Sequence, residues 1–235
     1  MQRRLRSAER GRFDHGWLQT AHSFSFADYA NPEWVHFGPL RVMNEDVVAP
    51  GEGFGMHPHR DMEIVTYVLS GELEHRDSLG NHGIIRAGEM QRITAGTGIL
   101  HSEFNPSTTT PVHLYQIWLF PHAKGQTPSY EQQSVSGTAL ERGRFRPVVT
   151  PQGGERIMKI HQDATIHLVE LDAGQQATQS LAATHSGWLQ VLRGRVRLGE
   201  TELETGDGVG LSEISQVTIE ALTGANEVML FEFGM

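Results

Sequence analysis

Residues 55–73 read GMHPHRDMEIVTYVLSGEL, and this stretch decides the fold. Its middle, EIVTYVL, concentrates β-branched and aromatic residues and predicts a strand, and the Ser-Gly that follows predicts a tight turn. His57 and His59 stand one residue apart just before that strand. Side chains at i and i+2 of an extended backbone project from the same face, so both imidazoles could bind one object.

The same pattern of short apolar runs and Gly-rich turns continues along the chain. Residues 63–96 contain three such runs, and VHLYQIWLF at residues 112–120 predicts a further strand. Residues 121–144 are polar, contain proline and glycine, and lack an apolar period, which predicts a long connection. A short helix over residues 130–142 is the alternative there.

The second half of the chain repeats the order of parts in the first. HSGWLQVLRGRVRL at residues 185–198 parallels HRDMEIVTYVLSGELEH at residues 59–75. LETGDGVGLSE at residues 203–213 parallels IRAGEMQRITAG at residues 85–96. Two diverged copies of one β unit predict an all-β protein with two antiparallel β-barrel domains.

Composition limits the class of protein. The chain of 235 residues has no cysteine, which excludes disulfides and thiolate metal ligands and fits a cytoplasmic protein. No run approaches the roughly 20 apolar residues of a membrane-spanning helix. A net charge of −9 argues against a nucleic-acid partner, and the five arginines among the first 12 residues are expected to form a solvated segment.

A second pair of polar residues completes a candidate metal site. TAGTGILHSEFNP, residues 94–106, places His101 and Glu103 two positions apart, so they also share a face of an extended strand. Three imidazoles and a carboxylate suit iron, nickel, manganese, copper, cobalt or zinc. Glu63 also has the parity to serve as the acid ligand. We expect four other histidines to be surface or satisfied core residues: His75, His82, His113 and His122.

These segments resemble known motifs. GEGFGMHPHRDMEIVTYVLSG, residues 51–71, resembles the first cupin motif, whose places are filled by Gly51, His57, His59, Glu63 and Gly71. AGEMQRITAGTGILHSEFN, residues 87–105, resembles the second motif but lacks the usual proline before the turn. Together with FDHGWLQTAHSFSFADY, residues 13–29, they resemble the pirin family of bicupins.

The resemblance implies two cupin barrels, which we expect over residues 1–130 and 131–235. It implies one metal, usually iron, held in the first barrel by His57, His59, His101 and Glu103, and it gives Glu63 a structural role. The second barrel has only His185 of the paired histidines. A second metal site would be under-coordinated, so this barrel is expected to be structural or to offer a binding surface.

Bacterial pirins resemble quercetin 2,3-dioxygenases, which open the central ring of a flavonol with O2 and release carbon monoxide. The resemblance therefore implies a flavonol substrate, with Glu103 as both ligand and general base. Phe24 and Phe26 could line an apolar mouth for this flat substrate or could belong to the ordinary core. The alternatives are a non-enzymatic iron protein that binds a transcription factor or metabolic enzyme, and another cupin enzyme such as an isomerase. A monomer is expected.

Overall fold

A computed structural model of the protein describes residues 2–138, 141–182 and 184–234. Apart from one short 3-10 turn at Ser7–Glu9, the regular elements of these residues are all β-strands. The chain forms two compact units. The amino-terminal unit comprises Gly11–Val135 and Ile160–Gln162, and the other described residues form the carboxy-terminal unit.

The amino-terminal unit contains eleven of the strands. Their bounds are β2 (Gly11–Asp14), β3 (Leu18–His22), β4 (Leu40–Val48), β5 (Gly53–His59), β6 (Glu63–Ser70), β7 (Glu72–Asp77), β8 (His82–Arg86), β9 (Glu89–Thr94), β10 (Ile99–Phe104), β11 (Val112–Leu119) and β12 (Ser129–Ser134). A large antiparallel sheet has the order β12-β9-β6-β11-β4-β3-β2, and a small one has the order β5-β10-β7-β8. Thr66 on the large sheet hydrogen-bonds Glu103 on the small one, so the inner faces of the two sheets oppose each other.

Strand β6 shows how the sequence builds this unit. Its residues are buried from Glu63 to Leu69, as expected of a central strand covered on both sides. The predicted turn follows at Gly71, whose φ is +80°. A Cβ there would lie 2.6 Å from the carbonyl oxygen of Pro111, so both the backbone angle and the close approach require glycine.

The region of residues 121–144 differs from its prediction. Ser129–Ser134 forms strand β12, which pairs with β9 from Ser129 opposite Thr94 to Ser134 opposite Glu89. The prediction of a helix over residues 130–142 is therefore wrong for residues 130–134. These residues form a strand instead, because their backbone hydrogen-bonds to the otherwise open edge of β9. Residues 139 and 140, in the rest of the predicted helix, lie outside the described residues.

The carboxy-terminal unit repeats the same arrangement. Its strands are β1 (Gln2–Leu5), β13 (Arg146–Thr150), β14 (Met158–Lys159), β15 (Ala164–Leu171), β16 (Gln176–Ser180), β17 (Ser186–Arg193), β18 (Arg195–Leu198), β19 (Thr201–Glu204), β20 (Gly208–Leu211), β21 (Gln216–Ala221) and β22 (Asn226–Phe233). The sheet orders are β1-β20-β17-β22-β15-β13-β14 and β16-β21-β18-β19. The orders β9-β6-β11-β4 and β20-β17-β22-β15 correspond strand by strand, which confirms the all-β fold built from two copies.

The arginine-rich start of the chain begins with a paired strand, and four of its five arginines are exposed as expected, while Arg10 is buried. Strand β1 pairs with β20 from Gln2 opposite Leu211 to Leu5 opposite Gly208. Arg4 donates to the buried carboxylate of Asp207 over 2.5 Å. Residues 2–10 thus belong to the carboxy-terminal unit, while residues 131–135 belong to the amino-terminal unit, so both groupings differ from the predicted boundaries.

Two further features concern the core and membrane crossing. The cores are aliphatic: the carboxy-terminal unit buries a cluster around Val191, Leu230 and Ile219, and the amino-terminal unit one around Val68 and Leu114. Each such side chain contributes about 1.5–3 kcal/mol by leaving water. Within the described residues, no helix is long and apolar enough to cross a membrane.

Candidate metal centre

Strand β10 brings the predicted ligands together, because it lies between β5 and β7 in the small sheet. His101 on β10 pairs directly with His57 on β5, and Ile99 pairs with His59. The register then shifts, so that Glu103 lies opposite Phe54. This irregularity places an extra residue in β5 beside the histidines, a position where β-bulges commonly adjust functional side chains.

The three histidines converge. The ring centroids lie 4.4 Å apart for His57 and His101, 4.8 Å for His57 and His59, and 4.9 Å for His59 and His101. One nitrogen of each ring lies within 4.8 Å of the others. The carboxylate of Glu103 lies within the same distance of a ring nitrogen of His101. The three histidines thus form one group, and Glu103 belongs to a second group with His75 and His101 that shares only His101 with the first.

The hydrogen bonds of the imidazoles leave nitrogen lone pairs available for an ion. Nδ1 of His57 lies 2.7 Å from the carbonyl oxygen of Gly55 and must be the protonated donor, which leaves Nε2 as an acceptor. His101 is buried, and neither of its ring nitrogens has a hydrogen-bond partner among the described residues. Buried polar atoms without partners are rare, and a metal ion would satisfy one of these two.

Two of the three imidazoles, those of His59 and His101, are neutral near pH 7. Burial, followed by the neighbouring His101 and His57, lowers the pKa of His59 to about 4, although Glu103 acts in the opposite direction. Burial, followed by His57 and His75, lowers the pKa of His101 to about 3. Neutral imidazole is the form that binds metals, so protons compete weakly at these nitrogens. The donor set fits a first-row divalent ion.

Glu103 is held in place by three side chains of the large sheet. Its Oε1 accepts hydrogen bonds from Gln91 Nε2 at 2.5 Å and from Thr66 Oγ1 at 3.2 Å. Its Oε2 accepts one from Gln116 Nε2 at 2.7 Å. These donors satisfy an ionised carboxylate and fix its orientation beside His101.

Sequence reasoning missed these donors. Gln91, Thr66, Gln116 and Asn44 occupy one row across strands β9, β6, β11 and β4, as their pairings show. Each comes from a different strand, so none forms a motif with its sequence neighbours. The available signal is the presence of an amide or hydroxyl at an inward-facing position of a strand.

Glu63 belongs to a different network. It lies on the opposite face of β6 from Thr66 because their positions differ by three. Its Oε2 accepts hydrogen bonds from Thr94 Oγ1 at 3.0 Å and from the backbone N–H of His161 at 3.3 Å. These contacts favour a structural role for Glu63.

A cavity of about 480 Å³ opens beside the histidines, and this volume is within the range of small-molecule sites. All four predicted ligands line it, together with the aromatic side chains Trp17, Phe26, Phe54 and Trp118 and the polar side chains Asn44, Asp46 and Gln116. Phe26 thus lines the cavity, as expected if it forms part of an apolar mouth for the substrate. Phe24 is fully buried and packs against Trp34, as the core interpretation expects.

The other histidines have separate environments. His82 and His113 contact Glu74 and Glu45 near the surface. In the carboxy-terminal unit, Nδ1 of His185 lies 2.8 Å from Oε1 of Glu232. The described part of that unit contains no group of three side chains arranged to hold a metal. His75 is buried beside His101 and has one unpaired nitrogen, so it is not simply a satisfied core residue.

Comparison with known proteins identifies the family. Residues 3–119 match the family model described as Pirin, and residues 147–233 match the model described as Quercetinase C-terminal cupin domain. Quercetin 2,3-dioxygenase of Escherichia coli (strain K12) is 44% identical over 232 residues, which cover 97% of each chain.

Solved structures of similar proteins support the same family. The crystal structure of YhhW from Escherichia coli has a TM-score of 0.94 at 42% identity and covers 99% of this chain and 97% of its own. A structure of bacterial pirin YhhW from Escherichia coli in complex with nickel(II) has a TM-score of 0.93 at 41% identity and covers 100% of this chain and 99% of its own. The chain therefore belongs to the pirin family of two-domain cupin proteins.

Proposed function

We propose that this protein is a metal-dependent dioxygenase that opens the central ring of a flavonol such as quercetin with O2 and releases carbon monoxide. The observation that carries the proposal is the position of three imidazoles and Glu103 in the wall of an aromatic cavity. The similarity to quercetin 2,3-dioxygenases over nearly the whole chain supports it.

The ion would be held by His57, His59, His101 and Glu103, and we propose iron(II) as the native metal. When bound, the metal supplies Lewis acidity toward the flavonol oxygen and the capacity to react with O2. The protein supplies orientation. The Gly55 carbonyl fixes the tautomer of His57, and the side chains around Glu103 fix the carboxylate.

Glu103 is the proposed general base. A flavonol reacts with O2 as its 3-oxyanion, so the proton of the 3-hydroxyl must leave first. The Glu103 carboxylate lines the cavity and accepts this proton, while Gln91 and Gln116 keep its oxygens from rotating away. When the proton moves to solvent afterwards, the carboxylate returns to its starting state.

The aromatic side chains orient the substrate. Trp118 lies between His59 and Phe26, with ring centroids 4.8 Å and 5.4 Å away and both rings nearly perpendicular to the indole. Trp17 and Phe54 form a second perpendicular pair at 5.3 Å. These faces and edges suit a flat polyphenol, and the apolar surface excludes water from the site of reaction.

The test is metal loading without oxygen, followed by addition of quercetin and O2. The expected result is the loss of flavonol absorbance with one carbon monoxide released per quercetin consumed. Metal content is measured in the same sample. A fully loaded protein that neither bleaches quercetin nor releases carbon monoxide would overturn the proposed activity and would favour the non-enzymatic regulatory function.

A further inference from the structure

Two buried residues of strand β7 lie behind the predicted ligands of β10. In the pairing of these strands, Asp77 is opposite His101, and His75 is opposite Glu103. Opposite residues in an antiparallel pair share a face, so all four side chains point to the interior. The side chains of His75 and Asp77 have no exposed surface.

Asp77 is a fixed acceptor. Its Oδ1 accepts backbone hydrogen bonds from Leu79 and Asn81, each at 2.9 Å, and its Oδ2 accepts one from Asn81 Nδ2 at 2.9 Å. Burial opposes ionisation, but the hydrogen bonds from Asn81, His75 and Leu79 outweigh it and lower the pKa of Asp77. The carboxylate is therefore ionised and can only accept.

The state of Asp77 determines the tautomer of His75. His75 Nε2 lies 3.1 Å from Asp77 Oδ2, so Nε2 must carry the proton. In the neutral ring, Nδ1 then has a lone pair. This atom is buried and has no hydrogen-bond partner in the described parts of the chain. Stacking on Tyr130, with centroids 4.4 Å apart and planes 16° apart, fixes the plane of the His75 ring.

His101 needs a hydrogen-bond acceptor for the ring nitrogen that does not bind the metal. A ring nitrogen of His101 lies within 4.8 Å of one of His75, and the ring centroids are 5.5 Å apart. A neutral imidazole that binds a metal through one nitrogen carries a proton on the other. Such ligands nearly always donate that proton to an acceptor, which fixes the ring and increases its basicity.

We propose that His75 is a positioning residue whose Nδ1 accepts the hydrogen bond of the His101 nitrogen that faces away from the ion. Asp77, His75 and His101 then form one chain of hydrogen bonds that ends at the metal. The inference rests on the proposed metal site. The negative charge of Asp77 makes His75 a better acceptor and His101 a stronger ligand.

Three variants test the chain. His75→Phe keeps a ring against Tyr130 but removes the acceptor. If His75→Phe does not fold, His75→Leu serves as the variant without an acceptor. His75→Asn restores an acceptor at the position of Nδ1. His82→Phe is the matched control, because His82 on the adjacent strand β8 also contacts a carboxylate, at 2.8 Å from Glu74, but lies at the surface.

The measurements are the dissociation constant for nickel(II), by competition with a chelator, and the EPR spectrum of copper(II)-loaded protein. The expected loss of nickel affinity in His75→Phe is about 10–100-fold. His75→Asn should recover most of it, and His82→Phe should bind as wild type does. The copper spectrum of His75→Phe should show an altered hyperfine splitting with an unchanged number of coordinated nitrogens.

The outcomes separate this inference from the proposed site. If the wild-type protein binds no metal, the metal site itself is wrong. If it binds metal and His75→Phe binds it equally well, only the positioning role is wrong. The loss of one coordinated nitrogen in the copper spectrum of His75→Phe would make His75 a direct ligand and would also overturn the positioning role.

Discussion

Gln91 and Glu103 lie on the two facing sheets of the amino-terminal unit, and a hydrogen bond of 2.5 Å joins the amide Nε2 to the carboxylate Oε1. Gln116 holds the second carboxylate oxygen at 2.7 Å. Glu103 is thus surrounded by amide donors that require an acceptor at both of its oxygens. The large sheet contributes none of the proposed ligands, but it determines the orientation of the Glu103 carboxylate beside the histidines.

Replacing Glu103 by glutamine should separate metal binding from turnover. The amide occupies the same volume and retains one acceptor oxygen, but its NH2 group faces a donor that the carboxylate satisfied, so we expect some loss of bound metal and a greater loss of turnover. Its amide accepts a proton poorly, so turnover should fall by about 10²–10⁴-fold, the usual contribution of a general base. Metal per chain and the rate of carbon monoxide release measure the two effects.

The control for this variant is Glu74→Gln. Glu74 lies on β7, next to β10, but its carboxylate pairs with the surface residues Arg76 and His82. It should retain both metal and turnover. A Glu103→Gln protein with wild-type turnover at wild-type metal content would remove Glu103 from the mechanism.

The alanine variants His57→Ala and His101→Ala test the proposed ligand set. Each should lose metal, because removing one imidazole leaves too few nitrogen ligands for tight binding. Because His101 is buried between His57 and His75, the loss should be larger for His101→Ala. Metal analysis after dialysis against a weak chelator gives the result.

His185→Ala is the matched control, since this histidine pairs with Glu232 in the carboxy-terminal unit. It should leave the metal content unchanged. Equal metal in the wild type and in both site variants would contradict the ligand assignment, and loss of metal in His185→Ala would point to a second site.

The sequence predicted the parts of the fold that local rules determine. Alternation placed His101 and Glu103 on one face, and Gly-rich turns marked the ends of β6 and β9. Strand β12 and the docked segment of residues 2–10 were not predicted, because both are stabilised by pairing with strands distant in the chain. Their own sequences carry no strong periodic signal.

The same distinction applies to the site. The histidine pairs are local patterns and could be found in the sequence. The support for Glu103 comes from Thr66, Gln91 and Gln116, which are brought together only by the register of three strands. His75 likewise looked ordinary in sequence, since its relation to His101 depends on the pairing of β7 with β10.

The two phenylalanines of residues 24–26 should respond differently to alanine. Phe26 lines the cavity and packs edge-on against Trp118, so Phe26→Ala removes apolar contact with the substrate. We expect the KM for quercetin to rise about 10-fold, with a smaller change in kcat and unchanged metal content. Steady-state kinetics on the metal-loaded variant provide the measurement.

Phe24→Ala is the companion variant. Phe24 is fully buried, so its truncation should cost about 3–5 kcal/mol of unfolding free energy and leave the KM of the folded fraction unchanged. Urea unfolding compares the two proteins. If Phe26→Ala destabilises as strongly as Phe24→Ala without affecting KM, both residues belong to the core.

Glu63→Gln tests a predicted pH dependence of stability. Burial raises the pKa of Glu63 from 4.5 to about 7, although the hydrogen bonds from His161 and Thr94 and the nearby Arg92 act in the opposite direction. Between these two values the folded state binds a proton that the unfolded state has lost. The stabilisation is therefore complete below about pH 4.5 and is lost as the pH rises toward 7, by at most about 3 kcal/mol.

The glutamine variant carries no titrating group at this position, so its stability relative to the wild type should increase from about pH 5 to about pH 8. The measured quantity is the difference in unfolding free energy between the variant and the wild type. This difference cancels the contribution of His59 and His101, whose pKa values burial lowers and which therefore make both proteins more stable as the pH rises at lower pH. Urea unfolding of metal-free protein at several pH values measures it. A pH-independent difference for Glu63→Gln would mean that Glu63 titrates normally in the folded protein.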